Sequence, residues 1–144
     1  MTPVVRLRHA VVDASAIVDF LLHTGDAKVL ARLFKNPDVE LHVPSLCDIE
    51  VAAAVRGALL RGRVETVAKA RLIIDDLRNL PLERYEHGPL LQRTFDLRNN
   101  FSTYDANYVA LAEALGTSLL TADAPLAAAT NAHTDVVAHL IAES

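Results

Sequence analysis

Four acidic residues, Asp13, Glu50, Asp105 and Asp123, have the types and settings that can do chemistry in this chain. Asp13 follows the apolar run HAVV, and Asp123 comes shortly after LLT. Both runs read as buried strands, which puts each Asp just past a strand's C-terminal end. If the two strands lie parallel in one sheet, both carboxylates emerge at the same edge, where open α/β sheets form their ligand sites. Glu50 and Asp105 fall near helix starts, on otherwise apolar faces. An inward carboxylate without a partner is costly, and a bound divalent cation is the usual compensation. Four convergent carboxylates describe a hard-metal site suited to phosphate chemistry.

Each acid also has a plainer role, and both roles stay open residue by residue. Asp13 in Asp-Ala-Ser is good N-cap chemistry, with Ser15 able to cap the helix or bond a ligand. Glu50 shares a helical face with Leu46, Ala53, Ala54 and Gly57, so it is either buried or lines a cleft. Ser45-Leu46-Cys47-Asp48 resembles a capping box, which makes Asp48 structural. Ser102 to Asp105 has the same pattern, yet Phe101, Tyr108, Val109 and Ala112 share the Asp105 face and turn it inward. Pro125 suits a first helical turn, so Asp123 is a candidate N-cap.

The elements that must position these residues alternate along the chain. Residues 9–12, 41–43 and 117–121 read as strands, and 82–87 alternates as a further one. Helical patterns cover 14–23, 26–35, 45–60, 64–80, 90–100, 102–115 and 125–132, with Gly25, Asn36-Pro37-Asp38, Gly62, Gly88-Pro89 and Gly116 as punctuation. TDVVAHLI at 134–141 fits a strand and a helix equally. This order predicts a small, mostly parallel sheet with helices on both faces.

At 144 residues the chain has room for one domain with a sizeable core, taken as 1–144. A hydrophobic fraction of 51% suggests apolar surface covered by a partner. No stretch approaches the roughly 20 apolar residues of a membrane span. The N-terminal MTPVVRLRHAVVDAS is broken by charges and reads as neither signal peptide nor anchor. The single cysteine, Cys47, fits a reducing, cytoplasmic setting and reads as core. The formal charge of −4 is carried in full by the four acids, so the remainder of the chain is balanced. No phosphate-binding loop, dinucleotide fingerprint or nucleophile elbow is present. None of the six histidines pairs at zinc-like spacing with another or with Cys47. The first strand ends in Asp-Ala-Ser, without the second acid of an aspartyl phosphatase or phospho-acceptor domain.

With these motifs in place, the chain resembles a PIN-domain protein of the VapC toxin type. The resemblance rests on VVDASAIVDFLL, VPSLCDIEVAAAVRGALLRGRV, LPLERYEHGPLLQRTFDLR running into STYDANYVALAEALG, and SLLTADAPLA. These segments span nearly the whole chain in the family's order. It implies a small parallel sheet between helices, and a Mg2+- or Mn2+-dependent endoribonuclease acting as the toxin of a toxin–antitoxin pair. The positions matching the family's carboxylates are Asp13, Glu50, Asp105 and Asp123, with Ser15 and Thr121 at its supporting hydroxyl positions. Asp13 and Asp105 are the first choices for direct metal ligands. RNA is the implied substrate, gripped by Arg56, Arg61, Arg63 and Arg98; the implied partners are a VapB-type antitoxin and a second copy of the chain. Pro125 departs from the family, which commonly has a basic residue there, and so does the pI of about 5.8. Two other functions fit the same residues: a catalytically inactive RNA- or protein-binding adaptor, and a metal-dependent DNA nuclease.

Overall fold

A computed structural model describes residues 7–141. Five strands form one parallel sheet in the order β3-β2-β1-β4-β5. These are β1 (His9–Val12), β2 (Glu40–Pro44), β3 (Leu82–Tyr85), β4 (Ser118–Thr121) and β5 (Ala138–Leu140). The three inner strands are built on Ala10–Val12, on Leu41 and Val43, and on Leu119–Leu120, and Val11, Val12, Val43, Leu119 and Leu120 are fully buried. That composition is what a parallel strand covered on both faces requires. β3, at an edge, keeps the alternating LERY pattern and is only half-buried.

Seven helices connect the strands: α1 (Ala14–Leu22), α2 (Ala27–Lys35), α3 (Leu46–Leu60), α4 (Val67–Asn79), α5 (Leu91–Asp96), α6 (Thr103–Leu115) and α7 (Ala124–His133). The chain winds outward from β1 to β2 and β3, then returns to β4 and continues to β5. Right-handed crossovers in opposite directions place α1–α4 on one face and α5–α7 on the other. The direction reverses between β1 and β4, which creates a crevice at the C-terminal ends of those two neighbouring strands. Asp13 and Asp123 flank that crevice. The expected α/β architecture is therefore the one found, with every connection parallel.

Local chemistry moves several boundaries. Thr66 accepts the Lys69 amide at 3.1 Å, so α4 starts at Val67 and not at 64. The segment expected as a helix over 90–100 is a 3-10 turn at Gly88–Leu90 followed by the short α5. Gly116 ends α6 in the left-handed region at φ 62°, the conformation that a C-terminal glycine supplies without strain. The ambiguous 134–141 segment contributes β5 beside β4. Asn131 on α7 fixes it, accepting from the Ala138 N–H at 2.8 Å and donating to the Ala138 carbonyl at 3.0 Å. Among the described residues, no helix is long and apolar enough to cross a membrane.

Candidate active site

Asp13 follows β1 and caps α1, so its capping role is real. Its Oδ1 accepts the Ala16 amide at 3.4 Å and the Ser15 hydroxyl at 2.7 Å. Ser15 in turn accepts the Ala122 amide at 3.0 Å and lies 3.3 Å from the Thr121 hydroxyl. Thr121 is fully buried and accepts the Asp123 amide at 3.0 Å. These two hydroxyls stitch the end of β1 to the end of β4 and hold Asp13 and Asp123 at the crevice. Asp123 caps α7 through Oδ1, which accepts the Leu126 amide at 3.1 Å. Capping and site-building are the same act here, because a cap at a parallel strand's C-terminus necessarily faces the crevice.

α3 and α6 bring the other two acids. The buried face of α3 is Cys47, Val51, Val55 and Ala58. Glu50 lies beside that face and is half-buried, so its stripe borders a cleft instead of entering the core. Tyr108 of α6, itself 2% exposed, donates its hydroxyl to Glu50 Oε1 at 2.6 Å. This partner, 58 residues away, left no local signal in the sequence. Ser102 caps α6 by accepting the Asp105 amide at 3.1 Å, which leaves the Asp105 side chain free of capping duty. The Ser45 capping box does not form. The Ser45 hydroxyl donates to the Tyr85 carbonyl at 3.0 Å instead, because β3 lies alongside. Asp48 is structural for another reason: it accepts from Arg84 Nε at 2.8 Å.

The electrostatics tie the four acids together. Burial pushes the Asp13 carboxyl up to about 7, against the opposing pull of its bonds to Ser15, Thr121 and Ala16, and the charge of Asp105 adds to the rise. Burial raises Glu50 too, opposed by the Tyr108 hydrogen bond and aided by Asp105. Asp105 is raised by burial and then by Asp123. Asp105 thus feels or exerts repulsion with each of the other three. Among the described residues, no lysine, arginine or histidine pairs with any of the four. Uncompensated, half- to fully buried carboxylates of this kind fit a hard divalent cation, whose preferred donors are oxygens.

The arginines are less closely placed. Arg56 and Arg61 are exposed on α3 and just beyond it. Helix geometry puts Arg56 on a different face from Glu50, and Arg61 about 16 Å further along the axis. Arg61 and Arg63 line a cavity of about 390 Å³ with residues of α1 and α4. Arg98 is held over the Phe95 ring, 4.6 Å from its centre, a few residues before Asp105. Cys47 is fully buried, as its apolar setting indicated, and burial pushes its thiol up to about 12.

Among the described residues, the tightest cluster of three metal-type donors is elsewhere: His9, Glu40 and His42, whose ligand atoms lie within 4.8 Å of one another. The absence of a zinc-like histidine spacing along the chain stands, and the cluster arises in space alone. His9 and His42 are far apart in sequence and meet only through the β1–β2 register, which spacing along the chain does not reveal.

The family comparison agrees with the geometry. The PIN domain family model matches residues 10–131. Ribonuclease VapC1 of Mycobacterium tuberculosis is 42% identical over 120 residues, covering 83% of this chain and 89% of the relative. Ribonuclease VapC9 of the same species is 42% identical over 113 residues, covering 78% and 84%. Among solved structures, PAE2754 from Pyrobaculum aerophilum superposes with a TM-score of 0.68 at 25% identity, covering 90% of this chain and 82% of that one. FitAcB from Neisseria gonorrhoeae, at 14% identity, has the same fold with a TM-score of 0.64, covering 90% and 95%. The chain belongs to the PIN-domain family, among its VapC-type ribonucleases.

Proposed function

We propose that this protein is an endoribonuclease that hydrolyses RNA phosphodiester bonds at the Asp13–Glu50–Asp105–Asp123 cluster with Mg2+ or Mn2+, as the toxin of a toxin–antitoxin pair. The observation that carries the proposal is the position of Asp105, in electrostatic contact with the three other carboxylates and with no cationic side chain to neutralise them. The relatives named ribonucleases support RNA as the substrate class.

Asp13 and Asp105 would hold the cation, and Asp123 would contribute the oxygen not engaged in capping α7. When bound, the cation supplies charge stabilisation at the phosphate and a more acidic water at neutral pH. The chain's own residues set the geometry. Ser15 orients Asp13 through Oδ1. Tyr108 clamps Glu50 through Oε1, and among the described residues Oε2 accepts no hydrogen bond. Glu50 is therefore aimed to orient the attacking water and to take its proton, a role that the raised affinity of its carboxylate for protons favours. Thr121 fixes the spacing of Asp123 from β4. Arg98, steadied by Phe95, is the arginine best placed by sequence to meet a phosphate near Asp105.

Exposed Ile49, Leu91, Phe95 and Tyr104 support coverage by an antitoxin and a second copy of the chain. The test is cleavage of labelled tRNA, rRNA and single-stranded DNA by the purified chain with Mg2+ or Mn2+. EDTA and Asp105→Asn serve as controls. RNA cutting that disappears in both controls supports the proposal. Cutting of DNA in preference to RNA would replace the substrate, and an absence of both cutting and metal binding would make the chain a binding adaptor.

A further inference from the structure

We propose that His9, Glu40 and His42 form a second metal site, for a transition-metal dication of the zinc class, at the sheet edge opposite the carboxylate cluster. The proposal stands whether or not that cluster cuts RNA.

His9 opens β1 and Glu40 opens β2, and the parallel register sets them side by side. His42 lies two residues further along β2, on the same face as Glu40. His9 Nδ1 is 3.2 Å from His42 Nε2 and 3.4 Å from Glu40 Oε2, and the last pair is 3.9 Å apart. A tetrahedral ion with bonds of about 2.0–2.1 Å needs donors roughly 3.3–3.4 Å apart. Two of the three separations already match, and the third lies on Glu40, an exposed and freely turning side chain.

The surroundings are those of a ligand shell. His42 is 5% exposed and is fixed from behind, its Nδ1 2.9 Å from the Tyr85 hydroxyl. For Nε2 to ligate, the ring must carry its proton on Nδ1, where the Tyr85 oxygen receives it. An outer partner of this kind sets the tautomer and the ring plane of a metal-binding histidine. The His9 and His42 rings are nearly parallel, with planes 12° apart and centres 5.5 Å apart, and meet edge to edge through the 3.2 Å Nδ1–Nε2 hydrogen bond, whose proton a metal ion would replace. Two imidazoles and one carboxylate select zinc-class ions over Mg2+. His9 and Glu40 face outward, so a fourth position opens to solvent and takes water or a donor from a partner. The site is distinct from the carboxylate cluster, because the four steps of β1 from His9 to Asp13 span about 13 Å.

The test is titration of the metal-free full chain with Zn2+, and with Co2+ as an optical probe, in parent, Asp105→Asn, His9→Gln and Glu40→Gln proteins. The site predicts one Zn2+ per chain and the intense visible absorption of four-coordinate cobalt, both retained in Asp105→Asn and undisturbed by excess Mg2+. His9→Gln and Glu40→Gln, both at exposed positions that leave folding intact, should weaken binding by more than the roughly 10- to 100-fold typical of losing an outer partner. Zinc affinity unchanged in His9→Gln, binding abolished by Asp105→Asn, or no binding by the parent would overturn the proposal.

Discussion

The buried carboxyl of Asp13 makes the metal-free protein sensitive to pH in a definite direction. Its proton affinity is raised to about 7 in the folded chain, against 3.8 as a free side chain. The folded state thus binds the proton more tightly than the unfolded state. The associated stability is fully present below about pH 4 and is lost as pH rises through 7. Asp13→Asn keeps the α1 cap and removes the charge. In EDTA it should unfold at a higher temperature than the parent at pH 8, by up to about 4 kcal/mol, with the gap closing towards pH 4. Calorimetry across that range checks the slope, and a gap that is flat with pH would contradict the assignment. Tyr108→Phe tests the Glu50 clamp. Losing a hydrogen bond to a charged group, worth about 1.5–3 kcal/mol, should slow RNA cleavage about 10- to 100-fold while leaving metal affinity nearly unchanged. At this scale the acids were legible because strand ends and helix faces are local patterns. Tyr108 and the His9–His42 pair were not, because each is a contact between distant segments.

Elements depend on interactions that local motifs only partly foretell. Arg84 is the clearest case. It donates to Asp48 of α3 at 2.8 Å and to the Leu77 carbonyl at the end of α4 at 2.8 Å, joining two helices to β3. Among the described residues Asp48 Oδ1 is already buried without a partner, so removing the guanidinium from Oδ2 leaves both carboxylate oxygens uncompensated. Arg84→Met should cost about 2–3 kcal/mol in thermal unfolding and leave cleavage per folded molecule unchanged. A matched loss of activity would instead assign Arg84 to the site. The helix starting after Pro44-Ser45 was readable from its sequence, while the role of Ser45 was not. Whether a serine caps its own helix depends on whether a neighbouring carbonyl, here Tyr85, competes for the hydroxyl. The 134–141 segment was undecidable for a related reason. A three-residue strand has too few positions to show a period, and its state is set by β4 and Asn131.

For the molecule as a whole, the proposed function links folding to ion binding through the crevice between β1 and β4. Saturating Mg2+ at about 100 times its dissociation constant should add about 2.7 kcal/mol to stability, a rise of several degrees in Tm, and Asp105→Asn should remove that rise. Thermal scans with and without EDTA measure it directly. The architecture was legible because alternating strand and helix patterns leave few topologies once right-handed crossovers are imposed. The strand order itself, with β1 at the centre, was carried by no single segment.

That central position of β1 also bears on the chain's synthesis. Asp13 and Ser15 are made early, but they acquire the neighbours that complete the crevice only when β4 arrives, 106 residues separating Ser15 from its contact Thr121. Until then the first half of the polypeptide has a bare strand edge where the pocket will be. On the proposed function, the cutting centre is therefore complete only after most of the chain has been translated.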